Sequence, residues 1–345
     1  MRFIIRVAGV LIIVVGSALA YLYYSNFVAV NTDENKEHGL FIPQNATQDQ
    51  VLRLLQEDSI IISGQQLRYF FDLKNYKGAL IVPGKYIIGK GWSNEKLTNH
   101  LRAGNGRIDS EVQFNLVQTV EQLAGQMTKE LFLDSLTVLN WLKDKANYSK
   151  YGFTESNFLS MFIPNTYFVK VDVRVEDLMG RMAKEYHKFW NATRIAKCQK
   201  LGMSQSEVVT LASIVYWETK VPADMPVVAG VYVNRLCRGM PLQADPTVVF
   251  ALKKRGIEVK RVLLKDTKID DPYNTYQNKG LPPGPIIIPP PSYVDAVLNY
   301  KQHDYLFFVA KEDFSGRSYF SKTLRQHEIY ADRYRKALNK AKVYR

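Results

Sequence analysis

The chain has 345 residues, 46% hydrophobic and 12% aromatic, enough for two or three domains with their own cores and too apolar for extended disorder. Its 46 Lys and Arg against 33 acids give a formal charge of +13, which suits an anionic membrane surface, an anionic polymer or nucleic acid. No zinc-finger spacing, basic heptad or RNA-binding aromatic signature accompanies that charge, so nucleic acid is set aside as a partner. Five scattered His suggest no metal site. Cys198 and Cys237 are too few for a disulfide framework and are either one bridge or two free thiols.

At the N-terminus, Arg2 and Arg6 precede an 18-residue run without charge, Val7 to Tyr24. As a helix it would extend ~27 Å, close to the ~30 Å hydrocarbon core of a bilayer. Arginines before the run and none soon after it place the N-terminus in the cytoplasm and the bulk of the chain outside. Ala18-Leu19-Ala20 fits a signal-peptidase site, but the run continues through Tyr24, which favours a retained single-pass anchor over residues 1–27.

Three segments then share a plan of short strand, turn and helix opened by Ser or Thr. In L-F-I-P-Q-N-A-T-Q-D-Q-V-L-R-L-L, Thr47 and Gln50 have capping-box spacing. In G-K-Y-I-I-G-K-G-W-S-N-E-K-L-T-N-H-L, Ser93 is the cap. In V-Q-F-N-L-V-Q-T-V-E-Q-L-A-G-Q-M, Thr119 and Gln122 repeat the box. Polar G-N-G-R-I-D-S marks a boundary near residue 108, and the pattern as a whole is α+β. Helices are expected over Thr119 to about Lys145 and Val175 to about Lys200, separated by F-I-P-N-T-Y-F.

Ser204 and Glu207 form a further box opening the helix that contains L-A-S-I-V-Y-W-E-T. Leu211, Ile214, Val215 and Glu218 fall on one face of it, so a carboxylate closes an apolar stripe. Burial there would keep the acid protonated near neutral pH, as a general acid requires. A rim position, or an Arg partner, would make it structural instead. Another helix follows from Asp224, with Pro226 in its first turn and Gly239 at its end.

From Pro241 to Pro291 the chain is turn-rich and supplies Gln243, Asp245, Thr247, Tyr273, Asn274, Thr275 and Tyr276. Amides, hydroxyls and rings at one place suit a neutral polyhydroxylated ligand such as a sugar, though each alone serves equally to make turns. A two-carboxylate glycosidase would need a second acid, and Asp245 is the candidate. A strand over D-Y-L-F-F-V-A-K, a turn at Phe314 to Arg317 and a basic amphipathic helix from about Leu324 end the chain.

L-A-S-I-V-Y-W-E-T, V-A-G-V-Y-V-N-R-L, L-Q-A-D-P-T-V, Y-N-T-Y, G-L-P-P-G-P-I and F-S-K-T-L-R-Q-H, in that order, resemble the YceG-like family, whose members are endolytic murein transglycosylases. F-I-P-N-T-Y is similar to that family's P-D-T-Y segment. The resemblance implies a membrane-anchored chain with a LysM-like peptidoglycan-binding module over 28–108 and an α+β catalytic domain over 109–345. It implies a lyase that cuts the bond between N-acetylmuramic acid and N-acetylglucosamine in nascent strands and leaves a 1,6-anhydro end. Glu218 would be its acid/base, with Gln243, Asp245, Thr247, Tyr273, Asn274 and Tyr276 binding substrate. Peptidoglycan synthase complexes would be partners, and no cofactor would be needed. The family's usual I-V-E-x-E-T has its first glutamate replaced by Tyr216. Against this stand a non-catalytic tethered binding protein and a two-carboxylate muramidase.

Overall fold

The computed structural model describes residues 2–24, 31–33, 35–104, 106–259 and 261–341, with side chains from residue 9 onward. It has mixed helix and sheet, and its contacts divide it into two compact units. The first comprises Met1–Val112, Glu130–Leu133 and Phe168–Arg174; the second holds Gln113–Lys129, Asp134–Tyr167 and Val175–Arg345.

The first unit begins with α1 (Arg2–Tyr23), followed by β1 (His38–Ile42), α2 (Gln48–Glu57), α3 (Gly64–Leu73), β2 (Gly84–Ile88), α4 (Asn94–Ala103), β3 (Arg107–Ile108) and all but the last residue of β4 (Ser110–Gln113). β1 pairs antiparallel with β2, and β2 with β3. The Thr47 box is complete: its hydroxyl accepts from Gln50 N–H, and Gln50 returns a side-chain acceptor to Thr47 N–H at 2.7 Å. Ser93 caps α4 as expected. The reading of the sequence passed over α3, although Ser63 caps it and Leu67, Phe70 and Phe71 give it a buried stripe. Leu67 and Phe71 join Leu40, Ile42, Val51, Tyr86 and Leu97 in a core that residues of this unit fill.

No helix among the described residues is long and apolar enough to cross a membrane. The side chains of Arg2 and Arg6, and the 27/28 boundary, lie outside the described residues. Where α1 is described, its apolar side chains are exposed.

The second unit contains α5 (Val120–Met127), α6 (Ser135–Lys143), α7 (Lys145–Lys150), the first two residues of β5 (Thr166–Val169), α8 (Val175–Phe189), α9 (Ala192–Leu201), α10 (Gln205–Glu218), α11 (Met225–Cys237), α12 (Asp245–Lys254), α13 (Pro291–Leu298), β6 (Phe307–Ala310), β7 (Ser318–Ser321) and α14 (Leu324–Lys340). Two helices expected to be continuous are broken. Asp134 accepts from Thr137 N–H at 2.9 Å, and Asn191 accepts from Arg194 N–H at 3.0 Å. Each polar side chain satisfies a donor left free by a new helix start, so the chain restarts where the apolar period alone reads through. The turn-rich stretch also hides α12, with Asp245 and Pro246 in its first turn. Among the described residues both cysteines are free, Cys198 buried and Cys237 exposed.

α10 lies at the centre of this unit against α9, α11, α12 and α13. Val208 through Val215 are all buried, so the helix has no polar face there. The single apolar stripe inferred from sequence is therefore too narrow, and Glu218 stands where an all-round core helix meets the surface. Ser213 on α10 accepts from Ile286 N–H at 3.1 Å, which seats the G-L-P-P-G-P-I loop on the helix. In that loop a Cβ on Gly284 would lie 1.8 Å from the Ser156 carbonyl oxygen. Backbone must move to admit it, so Gly284→Ala should destabilise by roughly 1–3 kcal/mol or more. Thermal unfolding measures this; an unchanged melting temperature would contradict the close approach.

Candidate active site

Glu218 is the last residue of α10, and Thr219 leaves the helix in an extended conformation. The turn is held on both sides. Thr219 Oγ1 accepts from Val221 N–H at 3.1 Å, and the Thr219 carbonyl accepts from the Tyr293 hydroxyl at 3.1 Å. The half-buried Glu218 carboxyl is thereby fixed at the mouth of the core.

Its surroundings favour the protonated acid. Desolvation pushes its pKa up to about 7, and the nearby Asp245 charge acts in the same direction. The C-terminal end of α10 is also the negative end of the helix dipole, which disfavours a carboxylate. Two groups hold the pKa back: the Tyr232 hydroxyl, which donates to Glu218 Oε1 at 2.9 Å, and the Arg235 guanidinium. Arg235 is buried without a carboxylate partner among the described residues. Its Nε donates to the Leu306 carbonyl at 2.7 Å and its Nη1 to the Leu242 carbonyl at 2.8 Å. Backbone dipoles thus solvate the cation near the acid without neutralising either.

The two polar loops read from the sequence meet here. Gln243 N–H donates to the Thr275 carbonyl at 3.1 Å, Ala244 N–H donates to Thr275 Oγ1 at 3.0 Å, and the Thr247 and Thr275 hydroxyls lie 2.8 Å apart. Gln243 has a left-handed backbone (φ 50°), unusual for a residue with a side chain, and these bonds hold it there. Asp245 is exposed and accepts from the Tyr276 hydroxyl at 2.6 Å.

The remaining candidates are placed differently. Thr247 and Asn274 are fully buried. Asn274 donates to the Thr267 and Ile269 carbonyls and accepts from Tyr276 N–H. Tyr273 is buried against Phe250, ring centroids 4.8 Å apart. These three hold the loops that present Gln243, Asp245 and Tyr276.

The sequence reading left Tyr232 and Arg235 without a role. Their signal lay in V-A-G-V-Y-V-N-R-L, where a phenol and a guanidinium stand one turn apart in a helix otherwise apolar at its core. Tyr216 is two residues from Glu218 and so about 200° around the helix. Its ring meets Tyr293 edge-on at 5.1 Å and lies under the Lys220 ammonium.

Trp217, 47% exposed, and Asp245 stand together in the wall of an open groove of 1410 Å³ that runs along α12 toward α14. That exceeds the ~300–1,000 Å³ usual for small-molecule pockets and suits an oligomer. A carboxyl group with a pKa near 7 beside such a groove can give a proton to a bound leaving group and take one back. Activity that begins with the protonated acid should therefore fall as pH rises through about 7. A kcat/KM profile flat to pH 9 would contradict the placement.

The YceG-like family model matches residues 40–333. The chain is 29% identical over 331 residues to a Bacillus subtilis (strain 168) protein named endolytic murein transglycosylase, covering 91% of this chain and 90% of that protein. It is 26% identical over 346 residues to a Streptococcus pneumoniae (D39) protein of the same name, of which it spans 61%. A crystal structure of a yceG-like protein from Listeria monocytogenes superposes with a TM-score of 0.58 at 26% identity, covering 85% of this chain and 98% of that one.

Proposed function

The chain belongs to the YceG-like family, and from that premise we propose that it is a peptidoglycan lytic transglycosylase in which Glu218 is the sole acid/base. The observation that carries the reading is the Glu218 carboxyl, raised to about 7 and held by Tyr232, with its chain neighbour Trp217 and the nearby Asp245 both lining an oligomer-sized groove. Tyr232 donates to Oε1, which leaves Oε2 as the oxygen that carries the mobile proton. That proton passes to the glycosidic oxygen between N-acetylmuramic acid and N-acetylglucosamine as the bond breaks. The resulting carboxylate takes the proton of the muramyl 6-hydroxyl, whose oxygen bonds to C1 and closes the 1,6-anhydro ring. No water is consumed and Glu218 ends protonated, ready for the next cut. Asp245, hydrogen-bonded to Tyr276, shapes the site and binds substrate with Gln243. Uncross-linked glycan strands should shorten by internal cuts on incubation with the full chain in detergent, followed by size-exclusion chromatography. Strands of unchanged length would leave a tethered binding protein as the better reading.

The same proposal places the chain in the cell membrane with its N-terminus in the cytoplasm. The support is the 18-residue uncharged run in the sequence, preceded by two arginines, and the exposure of its described apolar side chains. The first unit is read as a LysM-like peptidoglycan-binding module, supported by its strand-helix-helix-strand order with β1 and β2 paired antiparallel. Anchored in this way, the catalytic unit would cut nascent strands near the membrane, where synthase complexes are the expected partners. Alkaline carbonate extraction should leave the chain in the membrane fraction; release into the supernatant would remove the anchor from the account.

A further inference from the structure

The groove beside Asp245 carries a charge that the cleavage chemistry does not use. Lys253 at the end of α12, Arg261 in the following loop and Arg335 on α14 line it, and Asp245 is the one acid among its lining residues. None of the three cations is firmly neutralised. Lys253 donates to the amide of Gln118 at 2.6 Å. Arg335 reaches Asp332 at 3.8 Å, a loose exposed pair. Arg261 enters no ion pair among the described residues. Between these cations the lining includes Val249, Phe250 and Leu338, apolar surface against which an extended chain can lie. Lys253 is eight residues along α12 from Asp245, about 12 Å at the helical rise, so the positive stretch begins beyond the catalytic end.

An N-acetylated glycan backbone is neutral, and cations contribute little to holding it. The anions of peptidoglycan are on its substituents, chiefly the carboxylates of the peptides attached to the muramyl lactyl groups. Resting on the transglycosylase reading above, we propose that Lys253, Arg261 and Arg335 form a subsite for carboxylate-bearing peptides of the strand. The enzyme therefore selects glycan that still carries its peptides. A lipid-linked strand also has a pyrophosphate, but only at one end. An enzyme that cuts internally meets peptides all along the strand, so the groove is assigned to the peptides. The subsite accounts for part of the +13 charge in terms of the substrate and makes recognition dependent on salt.

The test uses the full chain in detergent and one preparation of uncross-linked strands, half of it with its carboxylates capped as amides. Wild-type kcat/KM should be about tenfold higher on the uncapped strands, the size of effect expected of a few partly exposed charge pairs. In Arg261→Gln/Arg335→Gln that ratio should collapse toward one, as it should for the wild type in high salt. Equal wild-type rates on the two substrates, or a ratio unchanged in the double variant, would overturn the subsite and leave the transglycosylase intact. Full activity on capped strands that retain a terminal pyrophosphate, with none of it on capped strands without one, would overturn the peptide assignment in favour of the lipid-linked end. Binding of both strand types to Glu218→Gln, followed by fluorescence anisotropy, gives the same ratio without turnover. The subsite is then judged even if no cleavage is found and the functional reading fails.

Discussion

Glu218→Gln should lower cleavage of glycan strands by roughly 10²- to 10⁴-fold, the range for loss of a positioned general acid/base. The amide keeps the shape and accepts from Tyr232, but it has no proton to give and cannot take one back. Its stability should change in a way that a merely structural glutamate would not show. The Glu218 pKa is about 7 in the folded chain against an ordinary 4.5. Between those values the folded state holds a proton that the unfolded state has released, so stability falls as pH rises from 4.5 to 7. Above pH 7 the cost levels off at about 3 kcal/mol. Glu218→Gln lacks that slope. Its melting temperature should match the wild type near pH 4.5 and exceed it at pH 8. A variant that is inactive and also less stable at pH 8 would point to a folding role.

Tyr232→Phe and Asp245→Asn should move the alkaline limb of the pH profile in opposite directions. The Tyr232 hydroxyl stabilises the Glu218 carboxylate, so its removal leaves desolvation less opposed and shifts the limb upward. It also frees the proton to occupy either oxygen, which should lower kcat about tenfold, the effect of one hydrogen bond of roughly 1.4 kcal/mol. The Asp245 charge disfavours ionisation of Glu218, so Asp245→Asn should shift the limb downward. It should also weaken substrate binding while leaving substantial kcat. Steady-state rates from pH 5 to 9 separate these outcomes. Loss of all turnover in Asp245→Asn, comparable with Glu218→Gln, would make the enzyme a two-carboxylate muramidase.

Much of this arrangement was legible in the residues. Capping boxes at Thr47 and Ser204 located α2 and α10, because each satisfies helix-start donors by local chemistry alone. Glu218 stood out because a carboxylate that closes the apolar face of Leu211, Ile214 and Val215 is costly unless it has work to do. Other features depended on contacts between distant segments. Asp134 and Asn191 read as ordinary polar residues until the chain turns and their side chains accept from a new helix. Thr247 and Asn274 had the chemistry of sugar ligands, but packing directs them to backbone groups of their own loops. Tyr232 belongs to the site only because α11 lies against α10, fourteen residues further along the chain. The groove likewise joins α12 to α14 across about eighty residues, a distance over which residue spacing carries no information.

The most direct measurement is mass spectrometry of the fragments released from uncross-linked strands by the full chain, run beside Glu218→Gln. The account predicts internal fragments ending in 1,6-anhydromuramic acid, each lighter by one water than a hydrolysis product and absent with the variant. Fragments with ordinary reducing ends would contradict it, since they require water to have taken the place of the muramyl 6-hydroxyl.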